Sequence, residues 1–467
     1  MRNSKYLKVS EQLLRRAYGN GANYRLPSER RICTMFGVSR TTAKMALNHL
    51  KDKKLVVRRE GSGTFFSPPS KKVSIRMLVP RKYSAPGLIS YFKNEGAIFS
   101  SRSGRSEIEV EEFDENLLSA VNARPGVKIL YSPYMGFLAD TGVLVPLNEF
   151  DDFIETVGQL NSQHFQWFGK SSISKNCYSM PLGFGADVFA YSRSKAKSLG
   201  LDTDNGPSDW DDILRWAEVS EKGGIHPTTL ATTKNYIFPH SYYYTLTGGE
   251  DFVSEKDGVF SFNFKKGTEW ISFFISLYSY PANIDYRRSA EDPLLKGETL
   301  FRHDALPWIV EQSRKFGVDS DICVRQIPPR TKGGVSISKI SRRELGIISA
   351  LSNGPSEKRA AWDFMKHLSC NTEAQRRMLK EFPSIAVNRE IFDEQRTDSA
   401  WHPFIHALST GISTYDKPAN FGVMQVIKKY FFDAVSGRLT VEGACEKISE
   451  TCSLQLEMEN ERRGLFV

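Results

Sequence analysis

Residues 26–66 read LPSERRICTMFGVSRTTAKMALNHLKDKKLVVRREGSGTFF. Ser28 and Ser39 each precede a helical pattern, where a serine oxygen accepts from the free N–H groups of a first turn, and Gly37 between them stops the first helix. In the second helix Ala43, Ala46, Leu47 and Leu50 recur at spacings of three and four, so one face packs inward. Arg40, Thr41, Thr42 and Lys44 are left at its exposed N-terminal end. Two short runs rich in Val and Phe then flank a glycine tip at Gly61 to Gly63, as a hairpin requires. Upstream, Tyr6, Val9, Leu13 and Ala17 mark a further helix with one apolar face. Three helices and a hairpin in this order make a winged helix-turn-helix, whose last helix suits the major groove of DNA.

Charge supports the same reading. Residues 1–72 carry 17 Lys and Arg against 4 Asp and Glu, a net of +13, while the whole chain is +9 and the remaining 395 residues sum to −4. Neutralising phosphates needs positive charge where the phosphates lie, so this segregation fits a DNA-binding head on a near-neutral body.

The strings LPSER, FGVSRTT and GSGTF, in this order, resemble the N-terminal domain of the GntR family of bacterial transcription regulators over about Val9 to Phe66. The resemblance implies roles. Arg40, directly after Ser39, matches the arginine that reads a guanine edge, where a guanidinium bonds O6 and N7 together. Arg30 matches the arginine that approaches the backbone or an outer base, and Gly63 the wing-tip glycine that nears the minor groove. Thr41, Thr42 and Lys44 accompany Arg40 on the reading helix, and Arg58 and Arg59 in the wing meet phosphate or minor groove. Arg31 stands where the family commonly has Glu, and Lys44 where it has Arg, so no operator sequence is inherited.

A chain of 467 residues is too long for a head alone, and its 40 % hydrophobic content suffices for ordinary cores. The polar start MRNSKYLKVSEQLLRR has neither a signal peptide nor a lipoprotein cysteine, and no apolar run approaches a membrane span. A cytoplasmic protein with no membrane partner is expected. Cys33, Cys177, Cys323, Cys370, Cys445 and Cys452 form no CxxC pair and have no histidine at ligand spacing, so neither a metal site nor a disulfide framework is expected. Two prolines in SPPSKK, residues 67–72, end the wing. The expected domains are 1–68 for the head, 69–72 for a linker and 73–467 for the body.

The body alternates strand-like runs (VSIRMLV at 73, KILYSP at 128, DVFAYSR at 187, ICVRQIP at 322, LGIISAL at 345) with amphipathic stretches, the pattern of an α/β fold. Four segments in order, LADTGVLVPLNEF, YSMPLGFGADVFAYSRSKAKSLGLDTDNGPSDWDDILRWA, LLKGETLFRHDALPWI and NGPSEKRAAWDFMKHLSCNTEAQRRMLKEFPSIAVN, resemble type 1 extracellular solute-binding proteins over about 73–450. The fold this implies is a two-lobed α/β body of the periplasmic-binding-protein-like type II class. Lobe one is expected at about 73–182 and 305–350, lobe two at about 188–300 and 355–467. The resemblance implies a small solute, a sugar or oligosaccharide, held between the lobes. Trp308 matches an aromatic that stacks on a sugar face. Phe184 and Asp187 follow Pro181 near the interlobe crossing, Tyr134 lies in a loop at a lobe edge, Ser384 follows Pro383 in a loop returning to the cleft, and Tyr242 leads a tyrosine cluster that lines either the pocket or the core.

Some GntR regulators carry an aminotransferase-like body with pyridoxal phosphate, and SISK at 336–339 with Arg343 faintly resembles its lysine loop. The Asp and Tyr that would hold the cofactor ring do not stand about thirty residues upstream. GxSxG, HExxH and GxxxxGK are missing from the sequence, and no catalytic residue, metal or cofactor is expected. The reading that results is a homodimeric regulator of double-stranded operator DNA whose body senses a carbohydrate. The alternatives are the aminotransferase-like body, or a body that only dimerises.

Overall fold

The computed structural model describes residues 5–20, 24–53, 55–67, 72–81, 86–114, 126–133, 135–139, 142–161, 176–230, 239–285, 292–349, 354–413 and 418–464. The chain divides into two compact units, Met1–Val73 and Ser74–Val467.

The first unit contains α1 (Lys5–Asn20), α2 (Glu29–Phe36), α3 (Arg40–Asp52), β1 (Val56–Arg59) and β2 (Gly63–Phe66). Both serine caps form: Ser28 Oγ accepts from Arg31 N–H at 3.4 Å and Ser39 Oγ from Thr42 N–H at 3.2 Å. Gly37 closes α2 at φ 59°, a conformation that costs a residue with a Cβ. Leu13, Ile32, Ala43, Leu50 and Phe66 are fully buried in the shared core. The strands pair as an antiparallel hairpin with Arg59 opposite Gly63. Winged helix-turn-helix is therefore the fold of this unit.

The second unit is built on two sheets. In chain order its elements begin with β3 (Val73–Pro80), α4 (Pro86–Ser103), β4 (Ser106–Phe113), β5 (Val127–Ser132), α5 (Met135–Ala139), α6 (Phe153–Gly158), β6 (Met180–Ala186), β7 (Val188–Ser192), α7 (Arg193–Ser198) and α8 (Trp210–Lys222). There follow β8 (Thr229–Leu230), α9 (His240–Thr247), β9 (Val253–Lys256), β10 (Val259–Phe262), α10 (Gly267–Tyr278), β11 (Ile284–Asp285), β12 (Phe301–Ala305), α11 (Trp308–Phe316), β13 (Ile322–Arg325) and β14 (Lys339–Ile347). The chain ends with α12 (Pro355–Cys370), α13 (Thr372–Glu381), β15 (Ile385–Ala386), α14 (Arg389–Thr397), α15 (His402–Thr410), β16 (Ile412–Ser413), α16 (Pro418–Val435) and α17 (Val441–Gly464).

The larger sheet runs β15-β6-β14-β5-β3-β4, with β16 beside β14. It is mixed: β3 and β5 are parallel, and β14 is antiparallel to β5 and β6. Such a sheet needs cover, and α12 lies over β5, β6 and β14 with α4 and α13 beside it. Trp362 of α12, fully buried, stacks on Phe150 at 5.0 Å. The smaller sheet, β12-β7-β13, is antiparallel. Its cover is aromatic: Trp210, Trp216, Tyr242, Trp270, Phe274 and Phe431 join one buried cluster from α8, α9, α10 and α16.

The chain leaves the larger sheet at Asp187, returns between β13 and β14, and leaves again between β16 and α16. The two-lobed α/β class is as expected, but strand pairing draws the lobes differently. β12 and β13 hydrogen-bond to β7, which moves residues 305–325 to the second lobe. α12, α13, β15 and β16 pack on or pair with the larger sheet, which moves residues 355–413 to the first lobe. Sequence order hid this because α12 begins only eight residues after β14 ends and covers the sheet it has just left.

Candidate functional sites

In the first unit the cap of α3 fixes what its first turn presents. Ser39 Oγ is used by the cap and also lies 2.9 Å from Thr42 Oγ1, so these two hydroxyls face one another. Arg40, Thr41 and Lys44 are exposed, Arg40 with 86 % of its side chain accessible. Glu29 at the start of α2 steers two of the basic groups: its Oε2 is 3.4 Å from Arg40 Nε and its Oε1 3.6 Å from Arg58 Nη2. One carboxylate thus ties the reading helix to the wing. Arg30 is exposed on α2. Arg59 lies 4.7 Å over the Phe65 ring, a cation–π contact. Gly63 has φ 112°, and a Cβ there would sit 3.1 Å from Arg25 Nε.

Sequence reading did not single out Arg25 or Met45. Arg25 bridges to Phe65 of the wing, so it shares the wing's outer face with Arg59. Met45 is 47 % exposed on α3, one turn beyond Thr41. Its position four residues on from Thr41, off the Ala43, Ala46, Leu47 and Leu50 face, was the available signal.

In the second unit the three crossings are tied together. Asp187 N–H donates to the Lys339 carbonyl at 3.3 Å, and Ile412 N–H to the Ser338 carbonyl at 2.9 Å. Ser241 at the start of α9 accepts from Lys339 N–H at 2.7 Å and donates to Asp187 Oδ2 at 2.8 Å. Lys339 Nζ is 3.5 Å from Asp187 Oδ1, with the two side chains 10 % and 2 % exposed. Burial raises the Asp187 carboxyl above its ordinary range, while Lys339 and Ser241 act in the opposite direction and nearby Asp304 adds to the rise.

Beside this hinge β12 carries charges into the interior. Arg302 pairs with Asp292 and, at 3.0 Å, with Asp304 Oδ1, all three being almost fully buried. Among the described residues no hydrogen bond reaches Asp304 Oδ2. The Arg302 guanidinium also lies 5.1 Å over the half-buried Trp308 ring. Pro307, just before Trp308, reaches the hinge: a Cβ on Gly185 would touch it at 3.9 Å. Asp187 and Trp308, expected as ligand residues, thus occupy one neighbourhood. It also holds Arg302, Asp304, Lys339 and Ser241, which sequence reading missed. The signal was RHD at 302–304, three ionisable residues inside a five-residue strand.

Of the other expected ligand residues, Tyr242 borders this neighbourhood from the core side, and Phe184 and Ser384 are buried in the first lobe. Tyr242 is a core residue: it is 1 % exposed, stacks with Phe273 at 5.6 Å and donates its hydroxyl to the His303 carbonyl at 3.2 Å. Burial pushes its phenol well up. Tyr243 and Tyr244 are also fully buried, so the whole cluster packs the second lobe. Phe184 is buried within β6, between Arg342 and Ile385. Ser384 is fully buried, so tightly that a Cβ on Gly183 would lie 2.6 Å from its Oγ. Tyr134 lies outside the described residues. Among the described residues there is no group of three His, Cys, Asp or Glu able to hold a metal ion, and no helix long and apolar enough to cross a membrane.

Two family models match the chain. The one for bacterial extracellular solute-binding proteins covers residues 102–404, well over half of the chain. The chain belongs to the bacterial extracellular solute-binding protein family. The second model, bacterial regulatory proteins of the gntR family, matches residues 5–66, so a GntR domain is fused ahead of the solute-binding domain. Among solved structures, the maltose-bound MalE3 of T. maritima is 17 % identical with TM-score 0.66, over 82 % of this chain and 99 % of that one. A solute-binding protein of Thermotoga lettingae bound to α-D-tagatose is 17 % identical with TM-score 0.65, over 83 % and 100 %. The Listeria monocytogenes substrate-binding protein in complex with cycloalternan is 16 % identical with TM-score 0.64, over the same shares. At these identities the likeness is one of fold. No curated protein matches the chain. The solute-binding fold also overturns the aminotransferase-like alternative, since Lys339 of the SISK segment lies in the hinge ion pair with Asp187.

Proposed function

We propose that this chain is a DNA-binding transcriptional regulator whose solute-binding body senses a sugar or oligosaccharide in the cytoplasm and thereby alters operator binding. One observation carries the reading: a GntR domain and a solute-binding domain are joined in a single chain. A solute-binding fold supplies a hinged pair of lobes, and fusion to a DNA-reading head gives closure of that pair something to control. In this reading Arg40 and Thr41 contact base edges, Lys44, Arg30, Arg58 and Arg59 contact phosphate, and Gly63 lets the wing approach the minor groove. The chain acts as a homodimer on a two-fold operator, because one winged head reads only a few base pairs. It is not an enzyme; the cleft binds and releases its solute.

Half-buried Trp308 is the candidate ligand contact, with the buried Asp187 and Asp304 carboxylates behind it. An indole face suits the apolar side of a pyranose, and opening of the lobes would bring the Asp304 carboxylate, whose Oδ2 has no hydrogen-bond donor among the described residues, within reach of a sugar hydroxyl. The sugars named with the similar structures, maltose, tagatose and cycloalternan, supply the first panel.

The test is thermal melting of the full chain against mono- and oligosaccharides, because a ligand bound only by the folded state must raise the midpoint. The sugar that raises it should also change operator affinity by roughly 5- to 150-fold. Trp308→Ala should abolish the melting shift while leaving operator binding without sugar unchanged. A flat panel with intact operator binding would refute carbohydrate sensing.

A further inference from the structure

Strand β14 sends alternate side chains to opposite faces of the larger sheet. On one face Arg342 and Glu344 approach to 3.6 Å, and Ser179 donates to Glu344 at 2.7 Å. Arg343 takes the other face. Its guanidinium lies 3.8 Å over the ring of Phe382, the residue that ends α13, and donates to the Tyr131 hydroxyl. Burial pulls its pKa below the ordinary arginine value, and Tyr131 acts against that. Among the described residues no carboxylate pairs with Arg343, and its Nη1, closed off from solvent, meets no acceptor. The three fully buried arginines among the described residues are different: Arg76 faces Glu111, Arg302 faces Asp292 and Asp304, and Arg342 faces Glu344. Withdrawing a cation from water without a counter-charge is costly, so a fold that keeps one there has a use for an anion. The residue is partly exposed, which leaves an anion a way in.

Its place in the sheet is next to the hinge. Ser132, the last residue of β5, pairs with Glu344, so Arg343 stands just beyond the end of β5 on the hinge side. Its partner in β6 is Gly183. Paired residues share a face, and a Cβ on Gly183 would lie 2.6 Å from Ser384 Oγ, a hydroxyl with no hydrogen-bond partner among the described residues. One pair nearer the hinge, about 7 Å along the strand, Ser341 faces Gly185, where a Cβ would meet Pro307 at 3.9 Å. Arg343 of the first lobe and the Pro307–Trp308 corner of the second therefore border one strip of β6 and β14. We propose that the solute sensed by this body carries an acid group, a carboxylate or a phosphate, which Arg343 binds while the Trp308 indole takes the sugar face. The inference rests on the sugar-sensing reading above and narrows it from carbohydrates in general to acidic sugars. Two parallel N–H groups of a guanidinium match two oxygens of either acid, and stacking on Phe382 holds the plane of the fork. A neutral sugar would leave the charge unpaired.

Melting of the full chain against the sugar panel above, each sugar set beside its uronate and its phosphate ester (glucuronate and glucose 6-phosphate for glucose), tests the proposal. Acetate and inorganic phosphate serve as acids without a sugar. From the concentration dependence of the midpoint, at least one sugar acid should bind about 10- to 100-fold more tightly than its neutral parent, which is what one charge-assisted pair contributes. Whether the uronate or the ester responds separates carboxylate from phosphate. Arg343→Met should bring the acid down to the affinity of its parent, with the unliganded midpoint at or above wild type, since a charge without a counter-charge has been removed. A neutral sugar that binds as tightly as its acid forms overturns the inference and leaves sugar sensing standing. A wild type that responds to no sugar, neutral or acidic, overturns both. Acetate or inorganic phosphate acting as strongly as the sugar acids overturns it too, because the sugar then contributes nothing. So does an Arg343→Met chain that still prefers the acid.

Discussion

Replacing Lys339 by methionine keeps the aliphatic stem and removes the charge at the hinge. In the wild type its ammonium lies 3.5 Å from Asp187 Oδ1, and the carboxylate is 2 % exposed. At an effective dielectric of about 20, unit charges at that distance attract by about 5 kcal/mol. The lysine no longer has to be desolvated, and Ser241 still donates to Oδ2, so the net cost falls to about 2 to 4 kcal/mol. Its pH dependence identifies the cause. Burial already raises the Asp187 carboxyl, and Lys339 acts against that rise; the variant raises it further. A carboxyl whose folded pKa exceeds its unfolded value adds stability that is present below the unfolded value and lost as pH rises through the folded one. The variant should therefore be least affected near the ordinary carboxylate value of 3.8 and most affected well above it. All seven tryptophans lie after residue 160, so urea unfolding followed by tryptophan fluorescence reports the body. In an Asp187→Asn background the same substitution should cost less than about 1 kcal/mol, since no buried charge is then stranded. An equal cost in both backgrounds, or one that does not grow with pH, would refute the hinge argument.

Arg40→Ala should weaken operator binding by about 1 to 3 kcal/mol and relax preference at one base position, measured by fluorescence anisotropy; equal weakening on random DNA would make Arg40 a phosphate contact. Met45→Glu should lose about 1 kcal/mol on operators with thymine opposite that turn of α3, because an exposed thioether suits the thymine methyl; no change across a set of base-substituted operators would place Met45 off the DNA. For Glu95, burial works to raise the carboxyl, but bonds from His367 at 2.8 Å and from Arg377 overcome it and hold the pKa at about 2, against an ordinary 4.5. The stability this confers, about 2 to 3 kcal/mol, is present above pH 4.5 and lost as pH falls toward 2, so Glu95→Gln should be destabilised at neutral pH and match the wild type at the acid end of a urea titration.

The head was legible almost residue by residue because its signals are local. Ser28, Gly37 and Ser39 act on backbone within four residues of themselves, and the periodicity of Ala43, Ala46, Leu47 and Leu50 needs no distant partner. The body was legible in class but not in assembly. Strand β14 was read only from Leu345 because its first half, KISRRE, is charged, yet Arg343 lies over the Phe382 ring at 3.8 Å and Glu344 accepts from Ser179 at 2.7 Å. Those partners are 39 and 165 residues away in sequence. The same distance effect hid the hinge role of Lys339, whose partners Asp187 and Ser241 lie far earlier in the chain. Tyr242 was misplaced for a related reason: an aromatic run next to glycines reads alike whether it lines a cleft or fills a core, and only its contacts with Phe273 and His303 decide.

The buried charges at the hinge are poorly explained by stability. Replacing a buried ion pair by well-packed apolar side chains is commonly neutral or stabilising, whereas removing one partner is costly. Arg302, Asp292, Asp304, Asp187 and Lys339 all lie in or beside β12 and the crossings, not in the aromatic core of α8, α9 and α10, which holds the second lobe without them. An apolar hinge could slide, since hydrophobic contact has no preferred direction. Ser241 placed between Asp187 Oδ2 and Lys339 N–H gives this one a direction, for each of those bonds exists at only one separation of the strands. The costly groups therefore stand where two crossings and a lobe must keep a fixed relation.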